Sequence, residues 1–154
     1  MTKVYPKSQF YDNGLRFSCK QCSACCRFEA GFVFLSGKDS SLLESALCLE
    51  NKQFLKTYCR WVPSDYKETQ LSLKEKANYD CILWSEEGCT VYDARPLQCR
   101  AFPFWQSILQ CKKNWEVTAK DCPGIGHGTL HSKEIINNWL TQRQLEPIIT
   151  RSKI

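Results

Sequence analysis

At 154 residues, the chain is long enough to bury the core of one domain without covalent cross-links, so its eleven cysteines call for a chemical explanation. A disulfide scaffold needs an oxidising compartment and an export signal, yet the opening MTKVYPKSQFYDNGLRF has no apolar segment, and an odd count leaves one thiol over. The formal charge of +5, from 21 basic and 16 acidic residues, includes no block of like charge that would mark a nucleic-acid arm.

The longest aliphatic-aromatic stretch, Phe32 to Leu35, is far too short to cross a membrane. We therefore expect a cytoplasmic protein without membrane insertion, for which nucleic acid is not the expected partner. Eight ligating thiolates, offset by two divalent ions or two cubane cores, would bring the filled protein to roughly +1, so much of the basic excess can neutralise the protein's own site.

No repeat or Pro/Ser-rich linker breaks the chain, which reads as one unit behind a mobile N-terminal stretch of about ten residues. The run Ser18-Cys19-Lys20-Gln21-Cys22-Ser23-Ala24-Cys25-Cys26-Arg27 lacks helical or alternating periodicity and reads as a loop. Phe32–Leu35 reads as a short strand ended by Ser36-Gly37. Ser41 and Glu44 fit a capping box for a helix reaching about Leu49, and a second helix follows from about Lys52 to Arg60, stopped before Pro63. From Thr69 alternation sets in, with Leu71 and Leu73 on one face. Cys81-Ile82-Leu83-Trp84 and Cys89-Thr90-Val91-Tyr92 then flank Ser85-Glu86-Glu87-Gly88, a hairpin signal. Ser132 precedes a last helix with Ile135, Ile136, Trp139 and Leu140 as its apolar stripe.

The spacing of Cys19, Cys22 and Cys25 lets a tightly turning loop aim several sulfurs inward while backbone amides donate to them. This run resembles the cluster loop of bacterial ferredoxins, in which the closing cysteine precedes proline, as Cys122-Pro123 does here. Cys26 follows Cys25 directly; adjacent side chains diverge, so a second site, a binuclear cluster or ligand exchange would place both better than one small tetrahedral site. Cys81 and Cys89 on the hairpin and Cys99 just after Arg95-Pro96 can converge, with Pro96 suited to a first helical turn. Arg95 and Arg100 are the candidate cofactor-binding cations, able to balance anionic sulfurs, although a carboxylate partner or an exposed face explains an arginine equally well.

Taken together, Cys19, Cys22, Cys25 and Cys26, then Cys81, Cys89, Tyr92, Arg95, Pro96, Cys99, Arg100, Phe102 and Pro103, and finally Cys122 resemble the pattern of the CxxCxxCC cysteine-cluster family, a zinc- or iron-chelating domain. The likeness runs from Phe17 through Gly128. It is similar to the chelating domain of flagellin lysine N-methylases, which are longer proteins. Ala24 departs from the pattern, where glycine is expected before the double cysteine. The resemblance implies Cys19, Cys22, Cys25, Cys26, Cys81, Cys89, Cys99 and Cys122 as metal ligands, brought to a common centre. Cys48, Cys59 and Cys111 fall outside it and read as inert thiols. His127 reads as a polar residue of a flexible loop, and the glycines around it resemble a nucleotide loop only superficially.

The expected architecture is a small, single, cysteine-rich α+β domain with a central β-hairpin and flanking helices around a metal or iron–sulfur centre. Residues 1–16 form an N-terminal extension, 17–128 the cysteine-cluster domain, and 129–154 a C-terminal helix packing on it. The cofactor expected is an iron–sulfur cluster in preference to zinc, on the strength of the loop spacing and distant Cys-Pro. Three functions are open: a redox, carrier or assembly protein; a protein-modifying enzyme related to lysine N-methylases; and a zinc-stabilised macromolecule-binding module. The partners implied are a metal ion or cluster and a protein partner or substrate.

Overall fold

The computed structural model describes residues 8–27 and 29–152. In chain order the elements are β1 (Leu15–Phe17), α1 (Gly37–Leu47), α2 (Asn51–Tyr58), β2 (Cys59–Pro63), β3 (Glu68–Leu73), β4 (Trp84–Ser85), β5 (Gly88–Cys89), a 3-10 turn (Tyr92–Ala94), α3 (Leu97–Ala101), α4 (Gln106–Leu109), α5 (Lys112–Ala119), β6 (Ile125–His131), α6 (Lys133–Leu145) and β7 (Thr150–Ser152). The architecture is α+β, as expected. The described residues form two compact units: those up to Cys22 with Pro103–Thr141, and those of Ser23–Phe102 with the segment from Gln142 to Ser152. Most of the stretch expected to be mobile lies outside the described residues; Tyr11, just beyond, is buried.

In the first unit, β1 pairs antiparallel with β6, with a register shift between Arg16 and Phe17. From Ile125 onward the Gly-Ile-Gly-His-Gly run around the histidine read as a loop residue is thus a strand, and His127 sits on it, exposed. Its glycines serve a close approach: a Cβ on Gly124 would strike the Ser18 carbonyl oxygen, and one on Gly128 the Ser18 hydroxyl. Periodicity missed the strand because glycine is depleted from strands and leaves no alternation to read. The unit's apolar centre is aromatic. Phe104 stacks on Trp115 with centroids 6.0 Å apart, and meets the Phe17 and His131 rings edge-on. On α6, only Ile136 of the expected stripe is fully buried, and Ile135 is 46% exposed.

The second unit is built on the antiparallel pair β2–β3, registered from Cys59↔Leu73 to Pro63↔Thr69, with β7 on the far side of β3. Phe32–Leu35 is extended but forms bridges rather than a strand: Val33 O accepts from Leu73 N–H, and Leu35 N–H donates to Leu71 O. Leu35, Leu43, Phe54, Leu71, Leu73, Leu83 and Val91 close the core, and Cys81 and Cys89 pack against it. The hairpin that carries these two cysteines is therefore rooted by its own Leu83 and Val91. Gly88, at φ +104°, takes the turn position expected of it.

Helix α1 starts earlier than the sequence suggested. Its cap is Ser36, whose Oγ accepts from Asp39 N–H at 3.1 Å while Asp39 returns a bond to Ser36 N–H at 2.9 Å. The reciprocal partner is an Asp, not the Glu or Gln of the usual signature, so Ser41 drew the assignment instead. Replacing Ser36 by Ala should cost about 1 kcal/mol, since one buried donor loses its acceptor. A thermal midpoint lowered by roughly 2–4 °C in circular dichroism is the expected reading. The second helix stops at Tyr58, because Cys59 already pairs with Leu73 in β2.

Candidate metal centre

The second unit gathers five of the eight expected ligands. The Cys26 carbonyl accepts a hydrogen bond from Cys81 N–H at 2.8 Å, which joins the Cys25–Cys26 pair to the segment that opens the hairpin. The Cys25 and Cys26 sulfurs lie 3.8 Å apart, so these neighbouring side chains turn together rather than diverging as expected. The edge of a regular tetrahedron with metal–sulfur bonds of about 2.3 Å is also about 3.8 Å. Cys99 rides on the short helix α3, whose N-cap is Pro96. Asp39, fully buried, fixes the start of that helix by accepting from Leu97 N–H at 2.9 Å, with the Arg100 guanidinium 4.0 Å away.

The thiols feel one another. Burial, then the charges of Cys81, Cys25 and Cys89, push the Cys99 thiol well above its ordinary range. Burial raises Cys81 as well, partly countered by the Leu83 amide that donates to its sulfur. The hydrogen bond shared with Cys25, then burial, then the charges of Cys25, Cys99 and Cys81 raise the Cys26 thiol well above its ordinary range. The same bond lowers Cys25 to about 7, with the Arg95 charge assisting. Cys25 is exposed, whereas Cys26, Cys81, Cys89 and Cys99 are half-buried. An open groove of about 330 Å³, walled by Ala46 and residues 89–94, reaches Cys89 from solvent.

Among the described residues, no three Cys, His, Asp or Glu side chains are arranged to hold an ion. The donor set nevertheless fits a soft or borderline cation: thiolates suit zinc and iron, and a cation would offset the repulsion between neighbouring thiolates. A bound metal would supply the charge that lets several thiolates coexist.

Of the two candidate arginines, Arg95 lies over the Tyr92 ring, 3.8 Å from its centroid, donates to the Tyr92 carbonyl at 2.8 Å, and acts electrostatically on Cys25 and Cys99. Arg100 donates to the Arg95 carbonyl at 2.9 Å and faces Asp39. Ala24 needs no glycine, because the left-handed positions of the loop are Gln21 and Ser23 on either side of Cys22.

Cys19, Cys22 and Cys122 belong to the first unit. There Cys19 Sγ accepts from Gln21 N–H at 3.4 Å, an amide-to-sulfur bond of the expected kind. Ser18 N–H donates to Gly124 O at 3.3 Å, so the chain enters its cysteine loop alongside Cys122-Pro123.

A family model for CxxCxxCC, "Putative zinc- or iron-chelating domain", matches residues 18–123. The chain belongs to the CxxCxxCC family. Family membership supports metal chelation in general terms and leaves the metal open. No solved structure matches the chain. No helix of the described residues is long and apolar enough to cross a membrane.

All eleven cysteines are free thiols, and the three outside the family pattern separate cleanly. Cys59 is 6% exposed and faces the core, where burial pushes its thiol up to about 12. Cys48 caps α1 in the left-handed conformation and Cys111 precedes α5; both are exposed. At pH 8 a maleimide should therefore label Cys48 and Cys111 within minutes and leave Cys59 intact until the protein unfolds, as peptide mapping would establish. Rapid labelling of Cys59 in the folded chain would contradict its burial.

Proposed function

We propose that this protein is a cysteine-cluster metal carrier, holding an iron–sulfur cluster or zinc through its motif cysteines in a redox, carrier or assembly role within the cytoplasm. The observation that carries the proposal is the convergence of Cys25, Cys26, Cys81, Cys89 and Cys99 within one unit, beside Arg95. The ligand role of Cys19, Cys22 and Cys122 rests on the motif and on family membership. A carrier or assembly duty is favoured over a closed structural site by the exposed Cys25 and the groove at Cys89, which leave cargo and a protein partner a route to the sulfurs.

Loop spacing supports the cluster. A second reading, one zinc or iron ion bound by both Cys25 and Cys26, is supported by their 3.8 Å separation, which matches the edge of a tetrathiolate site. Anaerobic purification followed by metal and acid-labile sulfide analysis separates the two. Iron with equimolar sulfide selects the cluster, metal without sulfide selects the single ion, and protein free of both contradicts the proposal.

A further inference from the structure

We propose that Arg27, Asp80 and Trp84 are positioning residues of the cysteine site, forming a brace that holds the Cys25–Cys26 corner against Cys81; the proposal rests on the metal reading above. The loop carrying this corner belongs to no helix or strand, and Ser23, at its start, is left-handed with φ +68°. Its shape is held by bonds to the chain on either side of Cys81. Ser23, before the double cysteine, accepts from the Trp84 indole N–H at 2.8 Å, beyond Cys81. Arg27, after the double cysteine, donates through Nε to Asp80 Oδ1 at 3.0 Å, just before Cys81. The guanidinium also lies over the Trp84 ring, 3.8 Å from its centroid, which links the two bonds crosswise. Between them lies the Cys81 N–H to Cys26 O bond.

Asp80 suits an anchor. It is 4% exposed, its second oxygen accepts from Asn78 Nδ2 at 3.0 Å, and its carbonyl accepts from Lys76 N–H. An arginine is required opposite it, since a planar fork can bond a carboxylate edgewise while stacking flat on an indole, and a lysine cannot do both. Neither Arg27, Asp80 nor Trp84 belongs to the apolar cluster that closes the second unit. Their loss should shift sulfurs rather than unfold the chain, and residues that orient ligands without touching the metal are typically worth about 10- to 100-fold in affinity.

The test titrates reduced, metal-free protein with cobalt(II) under anaerobic conditions. It reads affinity together with thiolate-to-cobalt charge-transfer and ligand-field bands, alongside the metal-free unfolding midpoint. Arg27→Gln and Asp80→Asn should each weaken binding roughly tenfold or more and move the ligand-field bands. The double variant should be little weaker than either single, because the two act as one unit. Trp84→Phe, which keeps a six-membered aromatic ring under the guanidinium and loses the pyrrole ring with its N–H, should weaken binding less. Wild-type affinity and bands in all three singles would overturn the brace, as would affinity losses that merely follow lower stability with unchanged bands. If Asp80→Asn fails to fold, Arg27→Gln and Trp84→Phe decide. A wild type that takes up no cobalt would overturn the metal reading itself, and the brace's role with it.

Discussion

Cys99→Ser should strip the protein of most of its metal, while Cys111→Ser leaves metal content at the wild-type level. Cys99 lies among the other thiols, since Cys81, Cys25 and Cys89 all act on it. It also sits on a helix whose start is pinned by the buried Asp39 carboxylate, so no flexible neighbour can readily take its place. A serine hydroxyl does not ionise near neutral pH and is a poor ligand for zinc or iron. Supporting residues alone alter affinity by about 10- to 100-fold, so removal of a ligand should exceed hundredfold, on that scale. Cys22→Ser should also lower metal content if the motif reading holds for the first unit. Metal analysis of the three variants, purified anaerobically, checks the partition. Equal retention across Cys22→Ser, Cys99→Ser and Cys111→Ser would show that ligands and bystanders have been divided wrongly.

The second large effect is on stability. The loop at residues 19–27 has no regular structure, and from Cys81 to Pro103 the chain holds only two-residue strands, a 3-10 turn and one short helix. Such segments contribute few backbone ladders of their own, so metal coordination should supply much of their order. Free metal at a thousand times its dissociation constant stabilises the folded state by about 4 kcal/mol. For a chain of 154 residues that corresponds to a thermal midpoint raised by roughly 8–16 °C. Calorimetry with and without chelator, joined to amide exchange, should show protection gained at residues 19–27 and 81–103. Identical midpoints and exchange in the two states would contradict the account.

Much of this was legible in the sequence where local chemistry alone decides structure. Gly88 marked the hairpin turn, Pro96 marked the entry to α3, and the two leucines of β3 marked its buried face. Assignments failed where tertiary contact decides instead. The strand β6 is held by the approach of Gly124 and Gly128 to Ser18, which no alternation announces. Helices α4 and α5 are short, and α5 packs by the single buried Trp115, too little to give a stripe. The turning of Cys25 and Cys26 toward each other depends on left-handed Ser23 and on the bond between Cys26 and Cys81. Asp39 and Asp80 escaped notice for the same reason. Each is an ordinary surface residue by composition, and only the fold buries it beside a cysteine-bearing segment; Asp80, adjacent to Cys81, offered the one local hint.

X-ray absorption at the metal edge of the anaerobically isolated protein tests the central claim most directly, because it reads the atoms bound to the metal. The account predicts a nearest shell dominated by sulfur at about 2.3 Å, reduced or lost in Cys99→Ser. A nearest shell of nitrogen and oxygen alone, at about 2.0–2.2 Å and unchanged in that variant, would contradict it.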